Sequence, residues 1–202
     1  RNVKTMLYGE ILHKIVEHVI KNKGKDINLV KVLTELIDGS EHVKGWKDKY
    51  KKHEGFDISE EISQIKNQFL ENNVATDLAL SYVEYAKQRY QDIRVSFKKP
   101  GSTIEIVPES RLLCKLKNPI YVDGHDKTHV QTKLDIIVLV DEIPNIIDLK
   151  VSLGGFENSE SNPKTQKIFH TLAAYQLLSQ KSGFLNGGSF IEDVIIDENG
   201  VL

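Results

Sequence analysis

Asp135, Asp148 and Lys150 are the residues of this 202-residue chain whose types and spacing point most directly to chemistry. All three fall within residues 131–152, QTKLDIIVLVDEIPNIIDLKVS. That stretch reads as two apolar strands joined by a short turn at Asp141-Glu-Ile-Pro-Asn145. Ile136 to Val140 and Ile146 to Ile147 carry no polar interruption, so they ask for burial on both faces. A lone charge is costly at such positions. Residues two apart on a strand share a face, so Asp148 and Lys150 point the same way and Leu149 points into the core. Two carboxylates converging beside one ammonium are what a divalent-metal hydrolytic site needs.

The elements that must hold these residues can be read on either side of them. Leu7, Ile11, Leu12, Ile15, Val16 and Val19 recur at helical spacing and predict an amphipathic helix over Thr5–Lys21. His13 lies at the edge of its apolar stripe, four residues after Gly9. Glycine inside a helix costs about 1 kcal/mol against alanine, which suggests a close approach to the backbone there. Further helices are expected at Leu29–Ile37, from Asp57 or Ser59 to Phe69, and from Thr76 to Asp92. The most basic window, Lys44 to His53, interleaves Trp46 and Tyr50 with lysines; it reads as a solvated lysine-rich face, with nucleic-acid contact as the rival.

After Pro100-Gly101 the pattern turns extended. Ile104 and Ile106 alternate with polar residues, Pro108 interrupts, Glu109 to Leu116 continues, and Asn118 to Val122 reads as a separate strand before the tight turn Asp123-Gly124. Pro144 suits a turn better than a central strand. Leu153 to Thr165 is loop-like, Lys164 to Leu178 helical, and Phe190 to Ile196 a late strand.

Composition bounds the possibilities. Apolar residues make up 40% and charged residues 28%, as in ordinary globular domains. The single cysteine, Cys114, excludes an internal disulfide and any four-cysteine cluster within the chain. No apolar run is long enough to span a membrane. A net charge of −2 exerts no global pull on nucleic acid, so such a partner would need local basic patches or a bound metal. Starting at Arg1 and stopping at Leu202, just past Asp197-Glu-Asn-Gly200, the chain suggests a domain taken from a longer polypeptide.

Taken in order, the helix Gly9-Glu-Ile-Leu-His13, the extended segment with Glu109, the strand with Asp135, the Asp148-Leu149-Lys150 strand and the helix ending Leu172-Ala-Ala-Tyr175 resemble the PD-(D/E)XK nuclease superfamily, in particular its RecB-like, phage exonuclease-type branch. The resemblance runs from Tyr8 to Leu178. It implies an α/β (α+β) fold: a central mixed sheet flanked by helices, a restriction-endonuclease-like core, and a helical insertion over about residues 25–92 of a single domain 1–202. It further implies a divalent-metal-dependent nuclease using Mg²⁺ or Mn²⁺, with DNA favoured over RNA. His13, Asp135, Asp148 and the Leu149 backbone carbonyl would be metal ligands. Lys150 and Glu109 would complete the catalytic set, with Glu109 bonding Lys150 or a metal-bound water and Glu105 as its rival. Tyr175, Thr171, Lys164 and Lys167 would contact nucleic acid. The location implied is cytoplasmic, in a bacterium or an infected cell, with homo-oligomers or fused domains as further partners. Two features depart from the pattern. Gln131-Thr-Lys-Leu134 stands where a glycine usually precedes the first Asp, and Thr171 stands where the helix signature has Gln. The alternatives are a cap-snatching-type viral RNA endonuclease, or an inactive nuclease fold kept as a binding module.

Overall fold

Apolar spacing of three and four residues builds α1 (Val3–Lys21), in which Leu7, Tyr8, Ile11, Leu12, Ile15 and Val19 are fully buried. The same helix buries a carboxylate, Glu17, between Lys14 at 2.7 Å and Lys21. Burial alone would push the Glu17 carboxyl up; the two ammonium groups outweigh it and hold the carboxyl below its ordinary value. Next come α2 (Leu29–Gly39), α3 (Ile58–Phe69) and α4 (Asp77–Ser96). Asn28 caps α2 through its Oδ1, 3.1 Å from Lys31 N, and the Thr76 hydroxyl stands at the start of α4. The computed structural model describes residues 3–39, 43–45, 58–154 and 189–202.

The strands are β1 (Leu70–Glu71), β2 (Val74–Ala75), β3 (Ile104–Val107), β4 (Ser110–Val122), β5 (His125–Leu134), β6 (Ile136–Val140), β7 (Ile143–Leu153) and β8 (Ser189–Ile196). They form a small β1–β2 hairpin, a β4–β5 hairpin and a four-stranded sheet in the order β3-β6-β7-β8. β3 and β7 both run antiparallel to β6. Gly154 N bonds Ile196 O at 3.2 Å and Ser152 bonds Asp193 at 2.9 Å, so β8 advances alongside β7 in the same direction. The sheet is therefore mixed, and the chain combines helices and sheet as expected of an α+β protein.

Three tight turns share one device: both central residues are left-handed, at Asn72-Asn73, Asp123-Gly124 and Asp141-Glu142. That geometry matches the twist of the flanking strands. The hairpin at Asn72-Asn73 is absent from the sequence reading, although paired asparagines are a turn signal. The last of the three turns corrects the expected loop 141–145. Pro144 is a strand residue, opposite Leu139. The two-residue turn makes Val140 and Ile143 the hydrogen-bonded pair, so Leu139 and Pro144 form a pair that exchanges no backbone bond. A missing N–H costs nothing there. A second correction concerns β4, which is one strand where two were expected, with an irregularity between Lys115 and Ile120 that contains Asn118 and Pro119.

The chain divides into two compact units. One holds residues up to Asp92 with Lys150 onward in β7 and Asp193–Leu202; the other holds Ile93–Leu149 and the described residues up to Glu192. The helices read as an insertion share the first unit with α1. That unit is centred on aromatic rings: Phe69 meets Tyr82 edge-on at 5.0 Å and Tyr8 at 6.0 Å. The Tyr8 hydroxyl donates to Gln68 Oε1 at 2.7 Å, and the buried Tyr82 hydroxyl donates to Gly200 O at 2.6 Å. Burial, followed by the nearby Tyr8 and Asp197, pushes the Tyr82 phenol well above its ordinary range. In the unit holding Asp135 and Asp148, Leu134, Ile137 and Ile146 form a buried cluster with Val107 and Leu139 against it.

Gly200 is held at φ +79°, and a Cβ there would stand 2.7 Å from Tyr8 Cδ1 and Cζ and closer still to Cε1. The ring is buried and its hydroxyl engaged, so it has little room to yield. Gly200→Ala is expected to destabilise by about 2–4 kcal/mol, from overpacking and left-handed strain together. Urea denaturation checks this, and a loss below ~1 kcal/mol would show that the ring moves aside.

Candidate functional site

One register governs the strands that carry the acidic residues. Val107 faces Ile137 across β3–β6, and Ser110 faces Leu134 across β4–β5. The two ladders are in phase, so Glu109 falls opposite Asp135. Ile136 faces Ile147 across β6–β7, and one step further places Asp135 opposite Asp148. By count along the chain, Glu109, Asp135 and Asp148 thus stand in one register row, just beyond the ends of the paired ladders and with Glu109 and Asp135 in bends.

Asp135 itself sits in the bend between β5 and β6, not within a strand as the sequence suggested. Its side chain explains the difference. Along β7 the residues that bond to β6 are Ile143, Asn145 and Ile147, so Leu149 N is the next donor in line. Asp135 Oδ2 accepts from that N–H at 2.9 Å, taking the place of a backbone carbonyl. The Leu149 carbonyl leaves the strand on the same edge as its N–H, towards Asp135.

Asp148 is 2% exposed, so this carboxylate lies fully inside the protein. Leu149 is 1% exposed and Lys150 half-buried, so burial runs unbroken from Ile146 to Leu149 and does not alternate between Asp148 and Leu149. Glu109 is half-buried and its ion-pair partner is Lys133, at 2.7 Å. The sequence reading did not single out Lys133, whose only signal was its place two residues before Asp135. Glu105, the rival of Glu109, is exposed opposite Leu139 and lies outside the row. His13 is half-buried on α1. Near it, a Cβ built on Gly9 would meet Val151 of β7 at 3.7 Å, an ordinary contact. The close approach expected at Gly9 is therefore to β7, with room for a methyl group.

As a donor set, the row is all carboxylate oxygen, which suits hard divalent cations. The side chains as placed do not converge: among the described residues no three His, Cys, Asp or Glu form a group able to hold a metal. The expected nucleic-acid contacts Lys164, Lys167, Thr171 and Tyr175, and the aromatic window with Trp46 and Tyr50, lie outside the described residues. Among the described residues, no helix is long and apolar enough to cross a membrane.

Two substitutions separate structural from chemical roles. Asp135→Ala leaves Leu149 N without its acceptor and is expected to cost about 1–3 kcal/mol, whereas Asp135→Asn keeps an oxygen acceptor and most of the stability. Equal stability of the two variants in urea would show that the bond contributes nothing. Gly9→Ala is expected to be neutral or to stabilise by up to about 1 kcal/mol through helix propensity, and a loss in thermal denaturation would show the Val151 contact to be tighter than it stands.

No family model, curated protein or solved structure matches the chain, and the row of carboxylates stands as the main guide to its function.

Proposed function

We propose that the chain is a divalent-metal-dependent nuclease of the PD-(D/E)XK type that hydrolyses phosphodiester bonds, with DNA favoured over RNA. The observation that carries this reading is the common register that puts Glu109, Asp135 and Asp148 at corresponding positions by the ends of the paired ladders, with Lys150 two residues beyond Asp148 on β7. The order of elements, α1 with His13, then the Glu109, Asp135 and Asp148-x-Lys150 segments, agrees with that reading.

In this proposal Asp135, Asp148 and the Leu149 carbonyl would hold Mg²⁺ or Mn²⁺, and His13 keeps only the ligand role that the resemblance implies. When bound, the ion supplies Lewis acidity towards the phosphoryl oxygens. Lys150 places its ammonium beside the scissile phosphate, orients the attacking water and offsets the charge that accumulates on the phosphoryl oxygens. Asp148, shielded from water, keeps its carboxylate oriented without having to shed a hydration shell during the reaction. Glu109 holds Lys133 next to the row, which lowers the repulsion that three neighbouring carboxylates exert on an incoming phosphate.

One observation favours a second reading, a nuclease-like fold kept as a binding module. The bond from Leu149 N gives Asp135 a structural reason to be retained, so its presence alone does not imply catalysis. Cleavage assays decide between the two. Single- and double-stranded DNA and RNA are incubated with Mn²⁺, Mg²⁺ or EDTA. Mn²⁺-dependent cleavage abolished in Asp148→Asn is expected. A wild type that cleaves nothing in Mn²⁺, with Asp148→Asn binding Mn²⁺ equally well by calorimetry, would sink the nuclease reading. Lys150→Ala is expected to keep Mn²⁺ binding while losing about 10²–10³-fold in turnover, the range seen when one charge-stabilising group is removed.

A further inference from the structure

One face of the β4–β5 hairpin carries a run of basic residues. Ser110–Leu134 contains five Lys or Arg against two Asp, in a chain whose overall charge is −2. Along β5, alternate positions are His125, Lys127, His129, Gln131 and Lys133, and a strand presents alternate positions on one face. Arg111 stands directly opposite Lys133 and joins that face. Neither acid does: Asp126 belongs to the other face and Asp123 to the turn. His125, Lys127, His129 and Arg111 are exposed, while Lys133 is engaged with Glu109. From His125 to Lys133 the face runs about 27 Å at ~3.4 Å per residue.

From this pattern we infer that the β4–β5 hairpin is a nucleic-acid-binding ribbon, its Arg111/Lys127 face lying along the phosphate backbone. The charge complementarity is with a polyanion. An extended row of basic residues on a two-stranded ribbon suits a regular backbone, and a ribbon of this width enters the major groove of DNA. A membrane surface fits less well. Ile120 and Tyr121, the exposed apolar residues near the tip, face Lys127 and Asp126 respectively and so lie on opposite sides. They form no single apolar face for lipid. The proposal takes nucleic acid as partner from the reading above but does not depend on cleavage.

Binding is therefore measured in EDTA, by fluorescence anisotropy with labelled duplex DNA, single-stranded DNA and RNA over a range of salt. Arg111→Gln/Lys127→Gln removes two exposed cations from the face, and Lys25→Gln/Lys31→Gln removes two exposed cations elsewhere with the same change in net charge. The hairpin variant is expected to lose about tenfold or more in affinity, and its slope of log K against log salt to fall by about 2, roughly one for each phosphate no longer neutralised. The control variant keeps both. Thermal denaturation of both variants, with Lys127→Gln alone as a milder change expected to lower the slope by about 1, guards against an effect of misfolding. Equal losses in hairpin and control variants would overturn the proposal. So would no binding to any nucleic acid, or binding to phosphatidylserine vesicles in its place. Binding of the wild type in EDTA without cleavage in Mn²⁺ or Mg²⁺ would count against the nuclease reading and leave the ribbon standing.

Discussion

The bond from Leu149 N to Asp135 Oδ2 sets the geometry of everything around it. The β6–β7 ladder stops at Ile136 and Ile147, but the β7 backbone continues with a donor that still needs an acceptor. A buried N–H left without one costs as much as a lost hydrogen bond, so some group had to be supplied. A side chain serves there because the chain bends at Asp135 and the β6–β7 ladder goes no further. Across the bend the β4–β5 and β3–β6 ladders keep one register. That shared register is what lines up Glu109, Asp135 and Asp148.

Buried charge is sparse among the described residues. Asp148 is 2% exposed, and Glu17 is the other buried charged side chain among the described residues. The two are treated differently. Glu17 is flanked by two lysines on its own helix, which offset the cost of burial locally. Asp148 lies in a strand stretch that is apolar on either side, with Ile146, Ile147 and Leu149 all 1% exposed.

Much of this was legible in the sequence, and what was missed follows from particular residues. Helical periodicity is a local property, so α1 to α4 are recognisable from their apolar spacing alone. The Asp148-Leu149-Lys150 spacing is equally local. The facing of Glu109 and Asp135 is not. Counted back from the Asp123-Gly124 turn in an unbroken ladder, Glu109 would fall three residues from Asp135. The irregularity between Lys115 and Ile120 absorbs that offset. Nothing in Asn118-Pro119 states how many residues a bulge will take up. Pro144 misled for a related reason: its tolerance depends on which pairs of the ladder exchange bonds, which only the two-residue turn decides. The left-handed conformation of Glu142 in that turn runs against residue preference and has no local signal.

The basic ribbon and two members of the row, Glu109 and Asp135, belong to the same two segments of chain, β3–β4 and β5–β6, while Asp148 comes from β7. This has a mechanical consequence. The cationic face of β5 ends at Lys133, two residues before Asp135, and Lys133 is the partner of Glu109. A polyanion lying along His129 and Lys127 therefore meets, at the inner end of the ribbon, a lysine already bound to the first carboxylate of the row. Competition for Lys133 between a phosphate and Glu109 would release the Glu109 carboxylate beside Asp135. In the proposed scheme, anion binding along the ribbon would then be linked to the Glu109 carboxylate through its ion pair with Lys133.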